Sequence, residues 1–307
     1  MNEASQSEVI EERGILSQIA SGVSLNQALQ LNIKTQPTVA IMLPTYREAQ
    51  NIESLIRDIQ KLSLNSFIMV IDDSSPDGTA DIVRRLQKEY SNIVLYVRPA
   101  KLGLGTAITM GFRLLLSLEN PPDYIIAMDS DYSHSPEDIP RLVDSAMHGN
   151  DLVIGSRYVH GGKTVGWPVA RQLISHMANL VATMMVGMRV QDCTSGFRCY
   201  SREYVRDVIS NLHSQTYEIQ IETVKQAWIK RFVVNEVPIV FSNRKQGKSK
   251  LSKGEIKGFL AYVIKTKFGV ELSKEDEGAK ADALLKAPKI NEETERLLNL
   301  YRRIRFF

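Results

Sequence analysis

The sequence predicts an α/β chain built on a doubly wound, mostly parallel sheet, and three observations lead there. Short, mostly apolar runs recur at Val39–Leu43, Phe67–Ile71, Ile93–Val97, Tyr124–Met128 and Asp151–Ile154. They are continuous rather than alternating, as strands buried on both faces of a parallel sheet read. Stretches of helical period separate them. Nearly every run also empties into a polar or acidic loop, so repeated strand–loop–helix units gather their loops along one edge of the sheet.

Taken in order, residues 1–37 are polar, lack the apolar core of a signal peptide, and read as a flexible extension. The first strand runs into Pro44-Thr45-Tyr46-Arg47-Glu48, and from Asn51 a helix presents Ile52, Leu55, Ile56, Ile59 and Leu62. The second ends in Asp72-Asp73-Ser74-Ser75-Pro76-Asp77-Gly78-Thr79, turn chemistry that opens a helix over Ala80–Tyr90. The third leads to Lys101-Leu102-Gly103-Leu104-Gly105-Thr106-Ala107 and another helix. Gly103 and Gly105 read as a tight strand-to-helix turn, because the third glycine of a dinucleotide fingerprint is missing. The fourth strand runs straight into Asp129-Ser130-Asp131; a helix over Pro136–Met147 follows, and the fifth strand ends at Gly155-Ser156-Arg157-Tyr158.

In the second half, Gly166-Trp167-Pro168 precedes a helix from Arg171 to about Gly187, on which Arg171 and Ser175 lie one turn apart. Asp192-Cys193-Thr194-Ser195-Gly196-Phe197-Arg198 comes next, followed by a short helix. A further helix starts within Tyr217–Glu222 and ends near Arg231, and a last strand, Glu236–Phe241, runs into the basic loop Ser242–Lys250.

At 307 residues the chain accommodates one large α/β domain plus appendages. A net charge of +3 is too small to imply a nucleic-acid partner. Cys193 and Cys199 match no zinc pattern and read as reduced packing thiols of a cytosolic protein. No apolar run approaches the ~18 residues that a spanning helix needs.

The chemistry converges on Asp129 and Asp131. Alternating with Ser130 in extended backbone, both acids can turn toward one point beyond the carboxyl end of a strand, where open α/β sheets bind ligands. Paired hard oxygens suit Mg²⁺ or Mn²⁺, which keep other positions for water and phosphate. A lone Asp-x-Asp is equally a solvated turn. Here the same sheet edge also collects Tyr46, Glu48, Asp73 and Arg157, which solvated turns explain poorly.

Together these motifs resemble the family 2 inverting glycosyltransferases of the GT-A (Rossmann-like) fold, and within them the polyprenol-phosphate (dolichol-phosphate) mannosyltransferases. The resemblance is carried by Pro44–Glu48, Asp72–Thr79, Leu102–Ala107, Asp129–His134, Gly155–Tyr158, Thr194–Arg198 and Arg244–Lys250, in order and spacing. It implies a catalytic domain over residues 38–253. Arg47 stands where Asn is common and Ser130 where Ala is common. By the resemblance, Pro44, Tyr46, Glu48, Ile71 and Asp73 hold the base and ribose of a nucleotide. Asp129 and Asp131 carry the metal beside Ser130, with Ser133 a third ligand. Arg157, Arg244 and Lys250 surround the donor's diphosphate, and Arg171 and Ser175 meet the acceptor phosphate. Asp131, Arg157 and Arg244 form the catalytic set. Arg198 either supports the Thr194-Ser195-Gly196 turn or contacts ligand, and His134 reads as structural.

The reaction so implied moves mannose from GDP-mannose to a polyprenyl monophosphate with inversion. The acceptor phosphate is already anionic near neutral pH, so no strong general base is required, and Asp131 as a metal ligand would make a poor one. The work is positioning and charge neutralisation. Such an acceptor lives in a bilayer. From Arg244 to Phe268 there are eight Lys or Arg against the single acid Glu255, with Ile256, Phe259, Leu260, Val263, Ile264 and Phe268 at helical spacing. That is the pattern of an interfacial helix with a basic border, or of a helix packed on the chain's own core. Residues 271–289 read as a linker. The tail Glu292–Phe307 sets Leu297, Leu298, Tyr301, Ile304 and Phe307 beside four arginines. With no span expected, residues 254–307 predict a peripheral enzyme on the cytosolic face of a membrane, acting alone or with a separate membrane-anchoring subunit. The rival readings are a polyprenol-phosphate glucosyltransferase using UDP-glucose, a noncatalytic nucleotide-sugar-binding subunit, and a soluble transferase acting on a hydroxyl.

Overall fold

The computed structural model describes residues 37–167, 169–187 and 190–243. Both chain ends of the expected organisation, the N-terminal extension and residues 244–307, lie outside these. Among the described residues are nine strands, β1 (Val39–Thr45), β2 (Ser66–Asp72), β3 (Ile93–Val97), β4 (Tyr124–Ala127), β5 (Leu152–Ser156), β6 (Lys163–Val165), β7 (Arg198–Ser201), β8 (Val234–Pro238) and β9 (Val240–Ser242). The α-helices among them are α1 (Ile52–Gln60), α2 (Thr79–Leu86), α3 (Leu104–Leu116), α4 (Ile139–Met147), α5 (Val169–Val186), α6 (Arg202–Val208) and α7 (Ile219–Ile229). No helix among the described residues is long and apolar enough to cross a membrane.

Seven strands form one sheet in the order β3-β2-β1-β4-β7-β5-β8, and β6 pairs with β9 in a second, two-stranded sheet. The large sheet is parallel throughout except for β7, which runs antiparallel to both β4 and β5. From β1 the connections first run outward to β2 and β3, then return to add β4 on the other side. The crevice between the carboxyl ends of β1 and β4 is therefore the point where strand order reverses, the favoured ligand position of such sheets.

The expected strands are all present, with three corrections, the first being that the short β6, two of whose three residues are exposed, was not anticipated. β7 was not anticipated: its four residues begin with Arg198, whose charge hides the apolar signal, yet all four are buried. The expected last strand is in fact two. Pro238, which has no N–H to continue a ladder, ends β8 beside β5. Ile239 then hands over, its N–H donating to Ser156 O at 2.9 Å and its carbonyl accepting from Lys163 N at 3.0 Å, before β9 pairs with β6. The helix expected over Ala80–Tyr90 is shorter, Thr79–Leu86.

Alternation along β1 explains the two-layer core. Ala40 and Met42 face one side with Phe67, Met69, Phe112 and Leu115. Val39, Ile41 and Leu43 face the other with Ile52, Ile56, Val83 and Leu142. Cys199 lies mid-sheet, opposite Ile126 and Val153. Burial pushes the Cys193 thiol up to about 12 and raises Cys199 further, so neither acts as a nucleophile.

Helix α3 sits unusually close to the sheet at Gly111, where an added Cβ would lie 2.1 Å from Met42 Sδ and 2.7 Å from Ile71 Cδ1. Gly111→Ala therefore separates two opposing effects. Helix propensity alone favours alanine by about 1 kcal/mol, whereas overpacking costs ~1–3 kcal/mol. The expected outcome is net destabilisation, read as a lower urea midpoint at unchanged slope; a raised midpoint would show that α3 packs more loosely.

Candidate active site

Three loops leaving β1, β2 and β4 each contain a non-glycine residue at positive φ: Arg47 (+58°), Ser74 (+51°) and Tyr132 (+63°). Such backbone is costly and persists where surroundings over-determine it, often at functional sites. Here the three turns fold the strand ends around one cleft of about 570 Å³.

On the β1–β2 side, the adjacent acids divide their roles. Asp72 is fully buried and builds the turn, accepting from Thr45 Oγ1 (2.8 Å), Ser75 N (2.8 Å) and Ser75 Oγ (2.6 Å). Asp73 lines the cleft. It pairs with the buried Arg98 and accepts from Leu102 N (3.1 Å) and Gly103 N (3.4 Å). Burial holds the Asp73 carboxyl above its ordinary value against the pull of Arg98, and burial lowers Arg98. Arg98 also donates to Thr106 Oγ1 (2.7 Å) and Gly103 O (2.9 Å), tying the Gly103–Gly105 turn to the same carboxylate. That turn needs glycine: a Cβ on Gly105 would lie 2.3 Å from Ser214 O, and one on Gly103, itself at φ +97°, 2.4 Å from Gln215 O.

Pro44, Tyr46, Glu48 and Ile71 line the same cleft. Lys101 Nζ and Arg47 stand 5.0 and 5.4 Å from the Tyr46 ring centroid, a cation–π arrangement. Glu48 accepts from Asn51 Nδ2 at 2.8 Å. Ser130 Oγ donates to Pro44 O at 3.0 Å, joining the β1 and β4 loops across the switch point.

Asp129, Asp131 and Ser133 all line the cleft. Left-handed Tyr132 folds the chain back so that Ser133 N and Oγ both donate to Asp131 Oδ1, the former at 3.0 Å. Ser133 thus orients Asp131, with its lone pairs still able to donate to a cation. His134, expected to be structural, is 1% exposed between Phe197 and Phe241, and its Nδ1 accepts from Asp129 N at 3.4 Å. Burial pushes its pKa down to about 4 against the opposing field of Asp131, so it is a neutral wall at pH 7.

Across the cleft, Arg157 is buried beneath Phe241 and engages Asp192 through Nε (2.7 Å) and Nη2 (2.7 Å), with Nη2 also donating to Thr194 Oγ1 (2.7 Å). Burial opposes ionisation of Asp192, but Arg157 outweighs it and holds the carboxyl below its ordinary value. The expected phosphate arginine is thus anchored along one edge and faces the cleft as a fixed donor. Arg198 proves structural: fully buried, it donates to Ser195 O (2.8 Å), Gln220 O (2.7 Å), Thr223 Oγ1 (2.6 Å) and Cys193 O (2.7 Å). Ser175 meets the Tyr158 hydroxyl at 2.9 Å and does not line the cleft. The side chain of Arg171, and Arg244 and Lys250, lie outside the described residues.

Several residues of the site escaped the sequence reading. Arg98 and Asp192 were missed because a buried partner announces itself only through the acid or base it pairs with. Lys101, Trp167, Tyr217, Gln220 and Phe241 also line the cleft. Of these, Lys101 stood in a motif already marked, so its position at a strand end was an available signal.

The donor chemistry suits a hard divalent cation: two carboxylates and a hydroxyl on one wall. Among the described residues, no three His, Cys, Asp or Glu side chains cluster as a metal cage. A cation here would rely on ligand and water oxygens to complete its shell, as Mg²⁺ commonly does.

The pattern described as glycosyl transferase family 2 matches residues 40–209. The chain belongs to this family. It is 38% identical over 218 residues to an undecaprenyl-phosphate mannosyltransferase of Micrococcus luteus, covering 70% of this chain and 88% of the relative. It is 36% identical over 225 residues to a polyprenol monophosphomannose synthase of Mycolicibacterium smegmatis, covering 73% and 84%. Among solved structures, glucosyl-3-phosphoglycerate synthase of Mycobacterium tuberculosis with Mn²⁺, UDP-glucose and phosphoglyceric acid superposes at TM-score 0.53 and 22% identity, over 77% of this chain and 80% of that one. At that identity the likeness speaks for the GT-A fold alone.

The two kinds of acid in this glycosyltransferase cleft differ in what they hold up. Arg98→Met leaves Asp73 buried without its partner and is expected to cost ~3–5 kcal/mol in urea unfolding. Asp129, 39% exposed at the side chain, should tolerate alanine within about 0.5 kcal/mol. Equal losses from the two substitutions would overturn this division.

Proposed function

We propose that this family 2 glycosyltransferase moves mannose from GDP-mannose to a polyprenyl monophosphate, with inversion at the anomeric carbon. The single observation that carries the reading is the identity to two polyprenol-phosphate mannosyl enzymes over most of their length. The cleft supports it by bringing Asp73, Asp129, Asp131 and Arg157 to one wall-lined space. Tyr46 and Asp73 receive the nucleoside, Asp73 as acceptor for ribose hydroxyls. Asp129 and Asp131, with Ser133, hold Mg²⁺ or Mn²⁺. Bound there, the cation supplies Lewis-acid stabilisation of the departing diphosphate. Arg157, rigid on Asp192, offers hydrogen bonds to phosphate oxygens without having to be reoriented during reaction.

The attacking oxygen belongs to a phosphate monoester already anionic near pH 7. The described cleft is consistent with this, since His134 is walled in and the carboxylates that face the opening serve other roles. Arg171 and Ser175, the latter not part of the described cleft lining, are assigned to the acceptor phosphate, and Arg244 and Lys250 to the donor's diphosphate. The acceptor's lipid chain keeps the protein at a membrane, on its cytosolic face, through the basic, amphipathic residues 254–307 or a separate anchoring subunit.

The test is transfer of radiolabelled sugar from GDP-mannose and from UDP-glucose to polyprenyl phosphate in detergent, with and without Mn²⁺. Mannolipid formed only with a divalent metal is expected, falling at least ~10²-fold in Asp131→Ala, the scale of losing one group aimed at developing charge. Glucolipid instead would keep the cleft and overturn the donor; no lipid product from either would overturn the acceptor.

A further inference from the structure

Gln220, at the start of α7, is 4% exposed and lines the cleft, yet its Oε1 is buried with no hydrogen-bond partner among the described residues. A buried amide oxygen left unmade is costly and calls for an explanation. The backbone of Gln220 is fixed, its carbonyl accepting from Arg198 Nη1 at 2.7 Å and its N–H donating to Tyr217 O at 3.2 Å, so the side-chain amide turns about its own torsions from a set point on the cleft wall.

Its neighbours say what kind of ligand fits. The point that a Cβ on Gly196 would occupy lies 3.3 and 3.5 Å from the Asp129 carboxylate oxygens and 3.5 Å from Gln220 Nε2. The amide and the carboxylate thus flank one glycine at the same end of the cleft. A phosphate only accepts hydrogen bonds, so it suits Arg157 but cannot satisfy an amide oxygen. A sugar hydroxyl both donates and accepts, and a primary amide offers one acceptor and two donors, enough for a vicinal pair. Gly196 contributes by having no side chain to fill the gap between them.

We infer that Gln220 is a specificity-determining residue that contacts hydroxyls of the transferred hexose. The inference deepens the reading of the cleft as a GDP-mannose site and rests on it. It carries an unusual signature, because the amide is retained at a cost to the folded chain. Gln220→Leu replaces it by an apolar group of similar size, which relieves the unpartnered oxygen while removing the contact.

The experiment is calorimetric titration of wild type and Gln220→Leu with GDP and with GDP-mannose, in the presence of Mn²⁺, alongside urea unfolding. The variant should bind GDP within about two-fold of wild type, while the ratio of its GDP-mannose to GDP dissociation constants rises about ten-fold. Its urea midpoint should be equal to or above that of wild type. An unchanged ratio overturns the inference, as does an equal weakening of both ligands, which would mean a nucleotide contact. A lowered midpoint with equal weakening would mean that the amide is only structural, and overturns it too. Wild type that shows no saturable GDP-mannose binding overturns the underlying reading, and the inference with it.

Discussion

A buried guanidinium holds the two walls of the cleft together. Arg198 sits in β7, opposite Ala127 of β4 and Ile154 of β5, with 0% exposure. A charge so placed is tolerable only when its donors are satisfied, and its four hydrogen bonds reach two separate segments. Two go to carbonyls of the 193–195 turn, and two to Gln220 O and Thr223 Oγ1 on α7. The turn brings Thr194 and Gly196 to the cleft, and α7 brings Gln220. Their spacing is therefore set by one side chain. Because β7 is wedged antiparallel between β4 and β5, the same residue is also indexed to the strand that delivers Asp129.

Two further buried ion pairs follow the same logic. Asp73 with Arg98 and Arg157 with Asp192 each leave one member lining the cleft and one behind it. Buried pairs contribute little net stability compared with apolar packing, and breaking one is expensive. Their value here is geometric. Each cleft-facing group is held by two contacts to its ion-pair partner and by backbone amides or a hydroxyl, so it meets a ligand already oriented. The Glu236 carboxylate extends this behind Asp192, accepting from Asp192 N at 2.9 Å.

The sheet and the acids were legible in the sequence for the same reason. Strands buried on both faces are written as unbroken apolar runs, and an acid ending such a run has nowhere to go but the strand end, as with Ala127-Met128-Asp129. β7 was illegible because Arg198 opens it, and no local rule predicts a guanidinium mid-sheet. The break at Pro238 was visible as a proline but not its consequence, since β9 pairs with partners in β6 that lie 77 residues earlier, Lys163 opposite Val240. Asp192 and Arg98 were illegible as partners because pairing across 35 and 25 residues leaves no spacing signal. Gly103 was read correctly as the turn into α3, although the reason that it must be glycine, the backbone of Gln215 pressing on it, is a tertiary one; Gly105, read as part of the same turn, lies in the first turn of α3 itself.

Charge balance explains why such a cleft calls for cations from elsewhere. Its described lining carries four carboxylates, Glu48, Asp73, Asp129 and Asp131, against two cations, Lys101 and Arg157. Adding the partners behind it, Arg98 and Asp192, leaves the excess unchanged. A diphosphate entering this space would meet an acidic wall, and at contact distances in a partly buried site like-charge repulsion amounts to several kcal/mol. A divalent cation held by Asp129 and Asp131 would cancel that excess where diphosphate oxygens would otherwise face carboxylates. In sequence, the basic run from Arg244 to Lys250 follows directly on the cleft-lining Phe241 and Asn243. With a cation so held, the acidic wall would make anion binding depend on the metal.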